Sequence, residues 1–235
     1  MNVVITGASR GIGKAIAEAF AAEGATLFLC ARGEVALYNA VSELQVKYPS
    51  SVINARPVDM SDKNSTQEFG VWCLGFGVPD IVVNNAGTYI GGNVMDEPDG
   101  SLEKMMDTNL FSAYHLTRTL LPPMIADKSQ GNRQIYNICS VASLQAYPNG
   151  GGYSISKFAM LGFSKNLRHE LMPHGIKVIS ICPGAVMTDS WSDFDNSTGR
   201  IMEADDIAKI IVASSKLSPQ AVPEEIILRP QKGDL

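Results

Sequence analysis

Seven short runs rich in Val and Ile alternate with amphipathic helical patterns along the chain of 235 residues. The runs lie at 3–6, 26–31, 52–58, 80–84, 134–139, 177–182 and 225–228. They are apolar on both faces, which is typical of parallel strands that helices cover on both sides. In the first helical pattern the apolar residues from Ile12 to Phe20 share one face, and Gly24 stands where a C-terminal cap belongs. This order predicts an α/β fold with a parallel sheet between two helical layers.

Charge, cysteine and histidine content argue against several classes of function. The formal net charge is -5 without any basic block, which argues against nucleic acid as the main partner. The four cysteines are far apart and the three histidines show no ligand spacing, so neither a disulfide framework nor a metal site is expected. No run reaches the ~18 apolar residues of a membrane span. The chain starts in a strand-like run without a basic leader, and we expect one cytoplasmic domain, 1–235.

The first strand-like run leads into a glycine-rich turn, Thr6-Gly7-Ala8-Ser9-Arg10-Gly11-Ile12-Gly13. Gly7 allows a tight turn, Gly11 lets a phosphate approach the backbone, and Gly13 lets a helix pack close to the sheet. Free N–H groups at the helix start would then hold a pyrophosphate. The spacing differs from the usual GxGxxG, and a strand–helix turn without a ligand remains an alternative.

Two arginines, Arg10 in the glycine turn and Arg32 at the end of the second strand, indicate which dinucleotide is bound. In dinucleotide folds an acid near this position holds the 2′-hydroxyl of NAD, whereas an arginine accommodates the 2′-phosphate of NADP. Two guanidiniums suit a phosphate dianion. Glu34 lies close but is expected to begin the next helix. We therefore expect NADP(H) rather than NAD(H), unless the two arginines are unrelated surface residues.

Polar residues follow the other strands at the sheet edge where ligands bind in open α/β folds. The candidates after strands three, four, five and six are Asp59, Asn84-Asn85-Ala86-Gly87, Ser140 and Pro183-Gly184-Ala185-Val186-Met187-Thr188. Asp59 could instead cap the following helix, although Ser61 or Asp62 would serve better. Asn109 interrupts a helical region at 101–126, where asparagine is unfavourable, so we expect a bend or a role there.

Tyr153 and Lys157 stand four residues apart at the start of an amphipathic helical pattern, which places both side chains on one helix face. A phenol has an unperturbed pKa near ~10 and is a poor proton donor at neutral pH. An ammonium a few ångström away favours the phenolate and lowers that pKa toward the working range. The pair is a candidate acid–base unit, although such pairs also occur on ordinary solvated helix faces.

Taken together and in order, these motifs resemble the short-chain dehydrogenase/reductase family, in its short single-domain branch. The glycine turn is similar to that of 3-oxoacyl-carrier-protein reductases, and the segment from Glu224 to Asp234 looks more like sepiapterin-reductase-like members. Ile155 departs from the alanine usual within the Tyr-Lys motif. The resemblance implies a single-domain Rossmann fold, doubly wound, with seven parallel strands in the order 3-2-1-4-5-6-7 and helices on both faces.

The resemblance also implies site roles. Tyr153 would be the general acid or base, Lys157 would assist it and bind the nicotinamide ribose, Ser140 would bond the substrate oxygen, and Asn109 would hold a relay water. The cofactor contacts would come from the glycine and strand-end motifs and the catalytic pair: Gly7, Ser9, Arg10, Gly11, Ile12, Gly13, Arg32, Asp59, Asn85, Ala86, Gly87, Tyr153, Lys157, Pro183, Gly184, Val186 and Thr188. No metal is expected.

The substrate is expected to be a small carbonyl or alcohol compound, such as a sepiapterin-like compound or a diketone. A 3-oxoacyl thioester is an alternative substrate, and a non-catalytic dinucleotide-binding regulator is a further alternative function. Tyr147, Trp191 and Phe194 are predicted to line the pocket beside Ser140 and Tyr153, which favours a flat apolar substrate. The polar composition of 188–202 suggests a lid that carries Trp191 and Phe194; a fixed loop remains the alternative.

The helical patterns at 101–126 and 153–173 are apolar on more than one side. A helix that is apolar beyond one face often meets another subunit. Members of the family that the chain resembles pair through these helices. We therefore expect a homodimer or a homotetramer.

Overall fold

A computed structural model describes residues 1–127, 132–188, 191 and 194–234. Seven strands of the described chain form one parallel sheet in the order β3-β2-β1-β4-β5-β6-β7. The strands are β1 Asn2–Thr6, β2 Thr26–Ala31, β3 Ile53–Pro57, β4 Ile81–Asn84, β5 Gln134–Ile138, β6 Lys177–Pro183 and β7 Glu225–Leu228. The predicted strand order is confirmed, and each observed strand end lies within one residue of its prediction.

Helices connect the strands and cover both faces of the sheet. They are α1 Gly11–Ala22, α2 Glu34–Lys47, α3 Lys63–Leu74, α4 Ser101–Met106, α5 Ser112–Ala126, α6 Gly151–Leu171 and α7 Ala204–Ser215. A π-helical turn, Asp107–Phe111, joins α4 to α5, and short 3₁₀ turns lie at Val141–Ser143 and Met172–His174. The alternating pattern predicts this parallel sheet between two helical layers, and the arrangement is the doubly wound Rossmann-like fold that the family resemblance implies.

The core has two layers because successive residues of a strand point to opposite faces of the sheet. Leu27 and Leu29 of β2 pack in the layer that contains α1 and α7. Phe28 and Cys30 pack in the other layer with residues of α3 and α5. Both faces of the central strands are thus buried, which explains why their sequences are continuously apolar.

Several local predictions about caps and cysteines are confirmed. Gly24 follows α1 with a φ of 71°, and Asp62 caps α3 by accepting a hydrogen bond of 2.7 Å from Ser65 N. All four cysteines are free and buried. Burial raises the pKa of the Cys30 thiol to about 12, so this thiol stays protonated at neutral pH.

The start of α6 differs from its prediction. The glycine run before Tyr153 looks like a loop in sequence, yet the helix begins at Gly151. Glu97, which lies far away in sequence, accepts a 3.0 Å hydrogen bond from Gly152 N. A Cβ at Gly151 would lie 2.8 Å from the same Glu97 Oε2, so only a residue without a side chain fits there. The glycines therefore let the first turn of α6 lie close to Glu97. The Glu97 carboxylate accepts a hydrogen bond from a backbone N–H that has no partner within the helix.

Among the helices in the described part of the chain, none combines the length and apolar character needed to cross a bilayer.

Helices α5 and α6 expose apolar side chains on the molecular surface. Phe111, directly before α5, is 41% exposed, and Phe158 on α6 is 46% exposed. A groove runs between these two helices and is lined by Lys63, Leu110, Phe111, Tyr114, His115, Ala159 and Phe163. An apolar groove across two neighbouring helices is the type of surface that a second copy of a chain covers.

We expect Phe111→Glu to convert an oligomer into a monomer, because it places a charge in this groove. Val46→Glu is the matched control, since Val46 is 81% exposed on α2 and lies outside the groove. Light scattering at micromolar concentration measures the mass of each protein. A monomeric mass for the unsubstituted chain would contradict the expectation.

Candidate active site

The glycine turn between β1 and α1 forms a narrow cradle at the carboxyl edge of the sheet. Gly7 has a φ of 66°, in the left-handed region that favours glycine. A Cβ at Gly13 would collide with Gly7 O and Asn85 Nδ2, so Gly13 permits the close contact of helix and turn. Arg10 at the N-cap makes no side-chain cap bond, and the first turn of α1 carries no acid. The start of α1 therefore suits a phosphate group.

Thr6 joins this cradle to the end of β4. Its Oγ1 accepts hydrogen bonds from Asn85 N at 3.0 Å and Ala86 N at 2.8 Å. In return, Asn85 Nδ2 donates to Thr6 O at 2.8 Å and to Gly7 O at 3.2 Å. Thr6 was not predicted as a site residue, although it lies directly before Gly7 of the glycine turn.

The turn after β6 reaches the same cradle. A Cβ at Gly11 would lie 3.2 Å from Thr188 Cγ2. Val186 is buried, and Gly184 N donates to Leu228 O at 2.8 Å. The structure thus brings the predicted residues of the first, fourth and sixth strand ends to one edge of the sheet.

Arg32 and Asp59 lie at the ends of β2 and β3, beside this cradle. Both residues are exposed. Hydrogen bonds from Ser61 hold the pKa of Asp59 below its ordinary value, and the Arg32 guanidinium acts weakly in the same direction. Asp59 is therefore ionised at neutral pH. It is not the cap of α3, because Asp62 has that role.

Tyr153 and Lys157 share one face of α6, as predicted. Lys157 Nζ lies 5.8 Å from the centroid of the Tyr153 ring. Lys157 is 5% exposed, and its Nζ donates a 2.8 Å hydrogen bond to Ile138 O at the end of β5. A Cβ at Gly87 would lie 3.8 Å from Lys157 Nζ, so the end of β4 is also adjacent. The buried ammonium is thus fixed between two strand ends and the tyrosine.

Asn109 lies in the π-helical turn and holds α6 in place. Its Oδ1 accepts from Thr88 N at 2.7 Å, and its Nδ2 donates to Thr88 O at 3.0 Å and to Ser156 Oγ at 2.9 Å. Ser156 Oγ in turn donates to Tyr153 O at 2.7 Å. The predicted interruption of the helical region at Asn109 is a π-helical turn, and Ser156 is a linking residue that was not predicted. A relay water at Asn109 stays a prediction; both Nδ2 donors are already used.

Ser140 begins the turn after β5 and is 8% exposed. Its Oγ accepts from Ala142 N at 3.1 Å and is 3.5 Å from Pro183 O. Ser140 N donates to Ser143 Oγ at 3.1 Å, which completes a reciprocal cap. The hydroxyl is thus oriented by its own turn, while its distance to Pro183 O leaves the proton weakly held.

Aromatic rings stand at the open side of these residues. The rings of Tyr89 and Tyr153 meet edge to face with centroids 5.0 Å apart, and Tyr89 is 50% exposed. Trp191 and Phe194 contact each other edge to face at 5.6 Å, as their predicted common direction requires. Tyr147 is partly buried and bonds to Asp234. The predicted lid includes 189, 190, 192 and 193, which lie outside the described residues, so its motion stays a prediction.

The arrangement combines a phosphate cradle with a proton-donating group and a hydroxyl that can bond a reacting oxygen. These are the elements of a dinucleotide-dependent site, and the cradle without a Cβ at Gly7, Gly11 and Gly13 fits a pyrophosphate. Within the described ranges, no cluster of His, Cys, Asp and Glu side chains could hold a metal ion.

Comparison with known sequences is consistent with this geometry. A family model described as short chain dehydrogenase matches residues 1–198. The chain is 34% identical to the uncharacterized oxidoreductase YusZ of Bacillus subtilis, over 80% of this chain and 66% of that protein. It is 31% identical to an uncharacterized oxidoreductase of Staphylococcus aureus strain USA300, over 97% of this chain and 96% of that one.

Solved structures of similar fold carry bound cofactors. An alcohol dehydrogenase from Thermococcus sibiricus, complexed with 5-hydroxy-NADP, matches with a TM-score of 0.88 and 28% identity, over 100% of this chain and 98% of that one. L-sorbose reductase from Gluconobacter frateurii, complexed with NADPH and L-sorbose, matches with a TM-score of 0.86 and 27% identity, over 97% and 94%.

We expect Thr6→Val to lower the free energy of unfolding by about 2 kcal/mol, because it leaves the N–H groups of Asn85 and Ala86 without an acceptor. Thr6→Ser is the matched control, since it keeps the hydroxyl and loses one methyl group. Urea unfolding measures both variants. A Thr6→Val protein at least as stable as Thr6→Ser would contradict the assigned role of the hydroxyl.

Proposed function

The chain belongs to the short-chain dehydrogenase family, and we propose that it is an NADP(H)-dependent oxidoreductase that reduces small carbonyl compounds. We further propose that residues 1–235 form one cofactor-binding domain in the cytoplasm and act as a homodimer or homotetramer. The observation that carries the reaction is the position of the buried Lys157 ammonium, which lies beside the Tyr153 ring and bonds to Ile138 O, two residues before Ser140. A protein that only bound a dinucleotide would not need these three residues together.

The catalytic roles follow from the contacts of each residue. Tyr153 donates its phenolic proton to the carbonyl oxygen during reduction, or accepts a proton from the alcohol in the reverse direction. Ser140 Oγ, held by the turn after β5, donates a hydrogen bond to the same oxygen as negative charge develops there. Lys157 places its buried ammonium beside the Tyr153 ring and assists the tyrosine from there. NADPH, when bound, supplies the hydride.

The described residues fit NADPH at several points. The start of α1 and the glycine turn hold the pyrophosphate, and Lys157 bonds the nicotinamide ribose. Val186 and Thr188 would hold the carboxamide, and Pro183 and Gly184 would also contact the cofactor. Arg10 and Arg32 bind the 2′-phosphate, which NADH lacks. Two of the similar solved structures, named above, hold NADP-type cofactors, which supports the same preference here.

We expect Arg32→Asp to lower kcat/KM for NADPH by about 10- to 100-fold, because a charged hydrogen bond is replaced by repulsion. The value for NADH should change little or rise. Lys209→Asp makes the same charge change on α7 and is the control. Initial rates with both cofactors measure the effect. Equal kcat/KM for NADPH and NADH in the unsubstituted enzyme would contradict the preference.

We expect Tyr153→Phe to lower kcat by ~10² or more, because the ring remains but the transferable proton is lost. NADPH should still bind, as fluorescence titration can test. Lys157→Met should impair both turnover and NADPH affinity. Tyr38→Phe removes a hydroxyl from an exposed tyrosine on α2 and is the control. Near-native turnover in Tyr153→Phe would refute the assigned acid.

The aromatic rings at the open side of the site favour flat apolar carbonyl compounds, such as aromatic diketones. The Tyr89 ring meets the Tyr153 ring edge to face, and Tyr147, Trp191 and Phe194 are proposed to supply further apolar surface to the pocket. Oxidation of NADPH in a screen of diketones, quinones, pterins and acyl thioesters tests the substrate class. Turnover of acyl thioesters alone would contradict it.

A further inference from the structure

One carboxylate, that of Asp234, connects two distant segments at the carboxyl edge of the sheet. Its Oδ2 accepts a 2.5 Å hydrogen bond from Tyr147 Oη in the β5–α6 connection. The same oxygen forms an ion pair with Arg229, which directly follows β7. Arg229 Nη1 also donates to Tyr147 Oη at 3.0 Å, and Gln145 Nε2 donates to that hydroxyl at 3.0 Å. The Tyr147 hydroxyl is thus held from three sides.

The backbone around Asp234 is held by a second arginine. Arg200 Nη1 donates to Gly233 O and Arg200 Nη2 donates to Asp234 O, each at 3.0 Å. Arg200 follows the stretch that carries Trp191 and Phe194. The segment 230–234 is therefore fixed to the β6–α7 connection by its main chain and to the β5–α6 connection by its side chain.

This segment also covers part of the predicted cofactor site. A Cβ at Gly184 would lie 3.1 Å from Pro230 Cδ and 3.2 Å from Asp234 Oδ1. Gly184 follows Pro183, whose carbonyl oxygen is 3.5 Å from Ser140 Oγ. Asp234 and Tyr147 therefore stand beside the position where Ser140 would meet a substrate.

The contacts of Asp234 differ from those of an ordinary surface ion pair. The Asp234 and Arg229 side chains are 21% and 35% exposed, so solvent screens the pair only in part. The bond from Tyr147 is charge-assisted, and such bonds are short and directional. Loss of the carboxylate would remove the acceptor of the Tyr147 hydroxyl proton and leave Arg229 without its counter-ion.

We propose that Asp234 is a positioning residue that fixes Tyr147 and the segment 230–234 as one wall of the substrate pocket. It thereby sets which carbonyl compounds the site accepts. Asp234 acts through Tyr147 and does not touch the reacting atoms. This inference rests on the proposed carbonyl reduction, since it concerns the substrate side of that site.

The test compares two diketones, 2,3-butanedione and 1-phenyl-1,2-propanedione, as substrates with NADPH. The ratio of their kcat/KM values is independent of the fraction of enzyme that is folded. In Asp234→Ala the aromatic diketone loses its fixed wall, so this ratio, aromatic over small, should fall at least about fivefold through KM. Tyr147→Phe, a milder change that keeps the ring, should reproduce most of the fall.

Asp205→Asn is the control, because Asp205 forms an exposed ion pair with Lys209 on α7. Its ratio should equal that of the unsubstituted enzyme. A ratio in Asp234→Ala that stays within about twofold of the unsubstituted value, or rises, would overturn the proposal. So would an unchanged ratio in Tyr147→Phe, because Asp234 would then act on the substrate without Tyr147.

Hydrogen exchange provides a readout that needs no turnover. In Asp234→Ala the amides of 145–148 and 230–233 should exchange faster, while those of 3–13 keep their protection. If the unsubstituted protein reduces neither diketone, the proposed substrate class fails, and this measurement alone decides the positioning role. Unchanged exchange at 145–148 would then refute it.

Discussion

A single buried hydroxyl, that of Thr6, joins the two strand ends on which the candidate site is built. In the sheet β1 lies between β2 and β4, so the strand order reverses there and the connections leave in opposite directions. Hydrogen bonds hold the end of β1 to the end of β4 on the two sides of this crevice. Thr6 Oγ1 accepts two backbone N–H groups from the β4 end, and Asn85 returns two bonds to the β1 end. The position of the glycine cradle relative to the catalytic residues depends on this exchange.

Lys157 holds the other side of the site in a comparable way. Its buried ammonium bonds to the last carbonyl of β5, while its helix is held by Glu97 at the first turn and by Asn109 through Ser156. Each of these contacts joins segments that are far apart in sequence. The face of α6 that carries Tyr153 and Lys157 is therefore oriented by three separate parts of the chain.

Periodicity and residue type predicted the strands and the helical layers, whereas the strand order and the roles of the site residues came from the family resemblance. The strands could be predicted because burial on both faces leaves a continuous apolar run, and Asn109 was identifiable because asparagine is unfavourable within a helix. The start of α6, the cap from Glu97, and the roles of Thr6 and Ser156 were not predictable. These depend on partners at distances of 47 to 80 residues along the chain, and no local pattern encodes such pairings. The contacts that Tyr147 makes with Asp234 and Arg229 could not be predicted for the same reason.

Helix α6 contributes to two different surfaces of the molecule. The face that carries Tyr153 and Lys157 lies at the sheet edge. Ala159 and Phe163, further along the helix, line the apolar groove beside α5. A substitution that shifts this helix would therefore act on two surfaces at once, because the candidate acid–base pair and one side of the groove belong to the same rigid element.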